Sequence, residues 1–172
     1  MVRECGLTAY LLVREGLGVE ARLVRLKDRG PWTHVGLMVG GTLFESVPST
    51  ERTHGGVRVG RLAEFSAAER AVSVGYVPIS LVEPQCQNLF RWCQKQVKAQ
   101  IPFDDLYNLE DDRTLYCTEF VYKAFLQIHI NLLSAELSSL SIPLVGKRKV
   151  IFPRDLIGMK PVSHNLHVLN QG

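Results

Sequence analysis

The sequence has no apolar run approaching the roughly 18 residues that a membrane-spanning helix needs. Cysteine is sparse. Cys5, Cys86, Cys93 and Cys117 are the four, and they form neither a CxxC pair nor a zinc-like spacing. Charge of one sign is missing too. Lysine plus arginine number 20 and aspartate plus glutamate 17, for a formal net charge of +3. Neither half of the chain concentrates either sign, so the balance gives no support to a nucleic-acid partner or a polybasic membrane surface. The apolar stretch Leu7–Val13 is short and is closed by Arg14 and Glu15, so it does not read as a secretory signal. The expectation is a cytoplasmic protein with reduced thiols and no integral membrane segment.

Several chemical signatures are absent as well. There is no GxSxG elbow and no HExxH. A phosphate loop fails because Ser141 stands where the first glycine belongs and Arg148 follows Gly146-Lys147. Asp104, Asp105, Glu110, Asp111 and Asp112 lack the alternation and central glycine of a calcium loop and read as a solvated acidic loop. His164 and His167 near the C-terminus read as surface residues. No metal and no organic cofactor is expected.

What is present is an ordinary globular composition, 46% hydrophobic and 22% charged over 172 residues. That suits one domain, 1–172, with a core of its own, and excludes a disordered or fibrous chain. The pattern changes near residue 82. Before it the segments are short and strand-like: Glu20–Leu26, His34–Val39, Thr42–Val47, Gly56–Val59 and Val72–Ile79. Gly40-Gly41 marks a tight hairpin between the second and third. After it come helix-like stretches. Glu83–Gln100 carries Leu89, Trp92, Cys93 and Val97 at helical spacing. A second helix runs from near Cys117 to about Ile128, with Phe120, Val121, Ala124, Phe125 and Ile128 as its stripe. Ile101–Thr114 reads as an exposed loop and Lys149–Phe152 as one more edge strand. Strands followed by helices predict an α+β fold.

The informative segment is Tyr116-Cys117-Thr118-Glu119-Phe120-Val121. A cysteine where a loop gives way to an amphipathic helix feels the positive helix end and free backbone N–H groups. Both favour thiolate, and the same donors can receive an oxyanion. A cysteine nucleophile needs a base, and the base an orienting group. His34 opens a buried strand. If Gly40-Gly41 closes a two-residue turn, Gly36 faces Glu45, and Glu45 becomes a diagonal neighbour of His34. His54 and His129 have weaker settings. In chain order the candidate set is His34, Glu45, Cys117, with Tyr116 and Tyr107 as candidate cleft-lining, substrate-binding residues.

Trp32-Thr-His34-Val-Gly36-Leu-Met-Val39, Phe44-Glu45-Ser46 and Leu115-Tyr-Cys117-Thr-Glu119-Phe-Val121 resemble the circularly permuted papain-like amidases of the NlpC-like superfamily, of the YaeF/YiiX type. Phe103-Asp104 and Phe152-Pro153-x-Asp155-Leu156 fit the same outline, and the similarity spans about residues 20–158. The resemblance implies an antiparallel barrel-like sheet packed against the cysteine-bearing helix. It also implies Cys117 as nucleophile, His34 as base and Glu45 as orienter. The expected function is a thiol hydrolase that cleaves an amide in a small peptide, amino-acid amide or acyl substrate. Permuted relatives acting on acyl lipids usually carry a second histidine at the third position, so Glu45 points to the amidase branch. A lipid-acting acyltransferase, phospholipase or thioesterase and an inactive binding module are the alternatives. One departure is Gly18-Val-Glu20, where these domains often open with Gly-Asp. Oligomeric state is not legible.

Overall fold

The computed structural model describes residues 7–17, 28, 30–51, 53–133, 136–142 and 144–156. Strand β1 spans Leu7–Gly16, β2 His34–Val39, β3 Thr42–Val47 and β4 Gly56–Gly60. A single helical turn, α1 (Leu62–Phe65), leads to β5, Ala71–Leu81. Helices α2 (Glu83–Lys98) and α3 (Cys117–Leu126) follow. Strands β6 (Ser138–Ile142) and β7 (Gly146–Val150) and a 3₁₀ turn at Pro153–Leu156 complete the described chain.

The main sheet is antiparallel, with strand order β4-β3-β2-β1-β5. It is open, so the barrel-like sheet expected above is a five-stranded sheet that does not close on itself. Strand β1, in the interior of the sheet between β2 and β5, falls on the apolar stretch that the sequence offered only as a failed signal segment. Each face of β1 is buried. Ala9, Leu11 and Val13 join the larger core with Leu89, Phe120, Val121 and Phe125 of the two long helices. Leu12 points the other way, into a small cluster with Met38, Leu43 and Phe65. A strand covered on both sides reads as continuous apolar sequence and loses its alternation. The expected strand Glu20–Leu26 lies outside the described residues.

The hairpin is as expected. Gly40 and Gly41 both take positive φ (56° and 72°), as a two-residue type I′ turn requires. The register sets Val39 against Thr42, Met38 against Leu43 and Leu37 against Phe44. Helix α2 buries Cys86, Leu89 and Cys93, and its last turn carries Lys95 and Lys98, which complement the negative helix end. Trp92 stacks on Phe120 of α3 (centroids 5.6 Å apart), which locks the two helices together.

Two expectations shift. The loop 101–116 is not uniformly solvated. Asp104 is buried, and its carboxylate accepts the backbone N–H groups of Leu106 (2.9 Å) and Asn108, pinning the turn. The expected edge strand at Lys149–Phe152 ends early. Lys149 and Val150 close β7, which pairs with β6 in a separate two-stranded sheet. Ile151 and Phe152 leave it to pack against the start of α3.

Candidate active site

Strand pairing brings four polar side chains to one face of the sheet. Arg14 is opposite His34 in the β1/β2 ladder, and Glu45 is opposite Arg58 in the β3/β4 ladder. Continuing the β2/β3 register places Gly36 against Glu45, so His34 and Glu45 meet diagonally. His34 Nε2 lies 2.8 Å from Glu45 Oε2. The other carboxylate oxygen, Oε1, accepts two bonds from Arg58, from Nε at 3.1 Å and Nη2 at 2.8 Å. Glu45 is 2% exposed, so this is a carboxylate removed from water and saturated by two cationic partners.

Small residues make the room. A Cβ on Gly60 would sit 2.9 Å from Glu45 Oε1, and one on Gly36 would sit 2.9 Å from Leu43 and 3.2 Å from the Phe65 ring. That ring lies 5.6 Å from the His34 imidazole and closes it off from beneath.

Cys117 comes from the opposite side of the sheet, as the first residue of α3. Its helix start is tightly held. Tyr116 N–H donates to Glu119 Oε2 (3.3 Å), and the Thr118 hydroxyl donates to the Ile151 carbonyl (2.6 Å). Ile151 N–H in turn donates to the Tyr116 hydroxyl (2.9 Å). Cys117 is half-buried. Burial pushes its thiol up. The hydrogen bond and charge of His34, with the backbone N–H groups of Val35 and Thr118, outweigh that and leave it below the ordinary thiol value. His34 moves the opposite way. Burial lowers it, but Cys117 and Glu45 raise it further, despite the opposing charge of Arg14. Burial likewise raises Glu45, and its bonds to His34 and Arg58 bring it down to about 2. The two shifts, with Glu45 ionised behind the ring, both act in favour of thiolate, imidazolium and carboxylate. Since Nε2 is engaged by Glu45, Nδ1 is the ring nitrogen left for sulfur. Cys86 and Cys93 are shifted upward, mainly by burial.

A cavity of about 580 Å³ opens over the sulfur, with Cys117, His34, Arg14, Phe103 and Tyr107 in its wall. Tyr107 is half-buried on that wall. Tyr116 also borders it but is 1% exposed, and its ring lies behind Tyr107 with centroids 5.0 Å apart. The structure thus brings His34, Glu45 and Cys117 together and puts both tyrosines beside them. Cys5, His164 and His167 lie outside the described residues. Arg14 and Arg58 escaped the sequence reading. The alternating pattern at Gly56–Val59 placed Arg58 on a strand, but only the β3/β4 register sets it opposite Glu45. Among the described residues, no group of three or more His, Cys, Asp or Glu side chains is placed to hold a metal ion.

Residues 19–142 match the family described as "Permuted papain-like amidase enzyme, YaeF/YiiX, C92 family". Among solved structures, the chain is similar to one titled as metalloprotein yiiX from Escherichia coli O157:H7. The TM-score is 0.69 at 19% identity, and the alignment covers 87% of this chain and 91% of that one. At that identity the likeness speaks for the fold. That neighbour is called a metalloprotein, with no metal named. No curated protein sequence gives a significant match.

Proposed function

The chain belongs to the permuted papain-like amidase family, and from that premise we propose that it hydrolyses an amide bond through Cys117, His34 and Glu45. The substrate class is a small peptide, amino-acid amide or N-acyl compound. The observation that carries the assignment is the opposed displacement of two ionisations. Cys117 is shifted towards thiolate and His34 towards imidazolium, with Glu45 2.8 Å behind the ring.

In this mechanism the Cys117 thiolate attacks the amide carbonyl carbon, and the carbonyl π electrons move to oxygen. The Cys117 backbone N–H, unused within the helix because it lies in the first turn, donates to that oxyanion. His34 delivers its Nδ1 proton to the departing amine as the C–N bond breaks, leaving a thioester on Cys117. Neutral His34 then takes a proton from water, whose oxygen attacks the thioester. Carboxylic acid leaves and the ion pair is restored. Glu45 accepts from Nε2–H throughout, holding one tautomer and stabilising the imidazolium. Arg58 holds Glu45 in place. Tyr107 supplies an apolar wall for the acyl chain, and Tyr116 buttresses it from behind.

The test is the alkylation rate of each cysteine by iodoacetamide against pH, read by peptide mass spectrometry, in the native protein and in His34→Ala. The expected result is that Cys117 reacts at a pH well below that at which Cys86 and Cys93 react. In His34→Ala its apparent pKa rises to that of an ordinary thiol. A Cys117 that titrates as an ordinary thiol in the native protein, or stays inert, rejects the mechanism.

A further inference from the structure

Among the described residues, no acid forms an ion pair with the Arg14 guanidinium. Arg14 is half-buried, stands opposite His34 across the β1/β2 ladder, and its Cζ lies 5.1 Å from the centroid of the Phe65 ring. Its side chain makes a single hydrogen bond among the described residues, from Nη1 to the Phe65 carbonyl oxygen at 3.5 Å, the outer limit of such a bond. A guanidinium has five N–H donors in a rigid fork. Among the described residues, the carboxylate whose charge acts on Arg14 is Glu45, and both of its oxygens are taken, Oε2 by His34 and Oε1 by Arg58. Among the described residues, no carboxylate comes within ion-pair distance of Arg14.

The surroundings agree in sign. Among the described residues, the cavity wall holds Arg14, Arg58 and Arg70 against one carboxylate, Glu69. Arg58 is spent on Glu45, so the charge left over belongs to Arg14 beside the sulfur and Arg70 at the exposed rim. A cationic donor fork facing a concave space, with one long hydrogen bond made among the described residues, is the arrangement that recognises a planar anion. Arg14 is also near enough to Cys117 for the two charges to influence one another.

We propose that Arg14 binds a carboxylate on the substrate, close to the acyl carbon that Cys117 attacks, so that the preferred substrates are acyl compounds bearing an acidic group. Arg70 draws such substrates to the rim. The proposal rests on the thiol-hydrolase assignment and narrows its substrate class.

Two reagents of nearly equal shape test it. Iodoacetate and iodoacetamide each lose iodide to the Cys117 thiolate, and they differ only in a carboxylate against a carboxamide. Both report the same thiolate, so the ratio of their rates is independent of how much thiolate is present. Wild-type Cys117 should show an iodoacetate-to-iodoacetamide ratio about tenfold above that of N-acetylcysteine in the same buffer. Arg14→Met should lose most of that excess and Arg14→Lys should keep part of it. Loss of the Arg14 charge favours the His34 imidazolium, which would raise the ratio, so a fall in Arg14→Met reads Arg14 itself. A role for Arg14 in merely stacking on Phe65 leaves the ratio unmoved. Prompt labelling with a ratio indifferent to Arg14 overturns this proposal alone. Slow labelling by both reagents overturns the thiol-hydrolase assignment and this proposal with it. Should the variants fail to fold, wild type decides. Succinate should slow iodoacetamide labelling of Cys117 while succinamide at equal concentration does not, and equal effects of the two reject a carboxylate site.

Discussion

The imidazole of His34 and the carboxylate of Glu45 meet diagonally across a hairpin, with Nε2 and Oε2 2.8 Å apart. The two residues are not partners in the ladder. Glu45 spans the offset because its side chain is long and because Gly60 beside it carries no Cβ to obstruct the carboxylate. The pair is nearly dry, at 7% and 2% exposure. In such a setting a carboxylate that accepts from an imidazole fixes the tautomer as well as the charge.

Glu45→Gln should therefore damage chemistry more than fold. The amide keeps a hydrogen-bond acceptor but loses the charge that favours imidazolium. With less imidazolium, Cys117 loses its largest stabilising partner. The expected outcome is a higher apparent pKa of Cys117 in iodoacetamide labelling and a fall in amide turnover of about a hundredfold or more. Unchanged labelling and turnover would show that Glu45 serves only to satisfy Arg58.

Gly36→Ala tests the space beneath the histidine. The added methyl meets Leu43 at 2.9 Å and the Phe65 ring at 3.2 Å. Leu43 can yield, since the atom concerned is at the end of its side chain. Phe65 is packed between His34 and Arg14 and has less freedom. Overpacking of this kind costs about 1–3 kcal/mol. Denaturant unfolding should show that loss, together with a smaller separation between the labelling pH of Cys117 and that of the other cysteines. Full stability in the variant would mean that Phe65 moves freely and does not fix the ring.

Particular residues explain what the sequence disclosed. Gly40-Gly41 fixed the hairpin turn, and with it the period-two argument that put Glu45 within reach of His34. The stripe from Phe120 to Phe125 revealed α3, and hence a cysteine at a helix start. Strand β1 was hidden because Leu11, Leu12 and Val13 are all buried, so no alternation survives to mark it. Arg14 was hidden with it, since its position beside His34 depends on the β1/β2 pairing. Arg58 sat on a recognised strand, but the partner of that strand was not evident from local pattern. That the barrel-like sheet stays open was not legible either, because closure is a property of strand order and that lies beyond any one segment.

Tyr116→Phe removes a single oxygen from the middle of the molecule. That oxygen accepts the Ile151 N–H at 2.9 Å, and the residue is 1% exposed. Without it, a buried donor is stranded, at a cost of about 1–3 kcal/mol. The expected result is a lower unfolding midpoint with unchanged denaturant dependence. Faster amide exchange at Ile151 should accompany it, because the segment from Ile151 to Phe152 is held against α3 by this bond and the one from Thr118. A variant as stable as wild type would imply that the N–H finds another acceptor.

Glu119 gives a prediction about pH. It is fully buried in α3, 2.8 Å from Lys123 Nζ. Burial raises its carboxyl to about 7, although Lys123 and the Tyr116 N–H pull it down. In the unfolded chain the group has its ordinary value near 4.5. Below that value both states are protonated and there is no penalty. Between 4.5 and about 7 the unfolded chain ionises while the folded one resists, so stability falls as pH rises. Above about 7 both states are ionised and the penalty is constant. Glu119→Gln keeps an acceptor for Tyr116 and has no proton to lose. Its stability relative to wild type should thus climb between pH 4.5 and about 7 and then level off, by at most about 3 kcal/mol. Urea unfolding of both proteins at pH 4.5, 6 and 8 measures this directly. A difference that stays flat across that range would mean that Lys123 fully compensates the burial of Glu119.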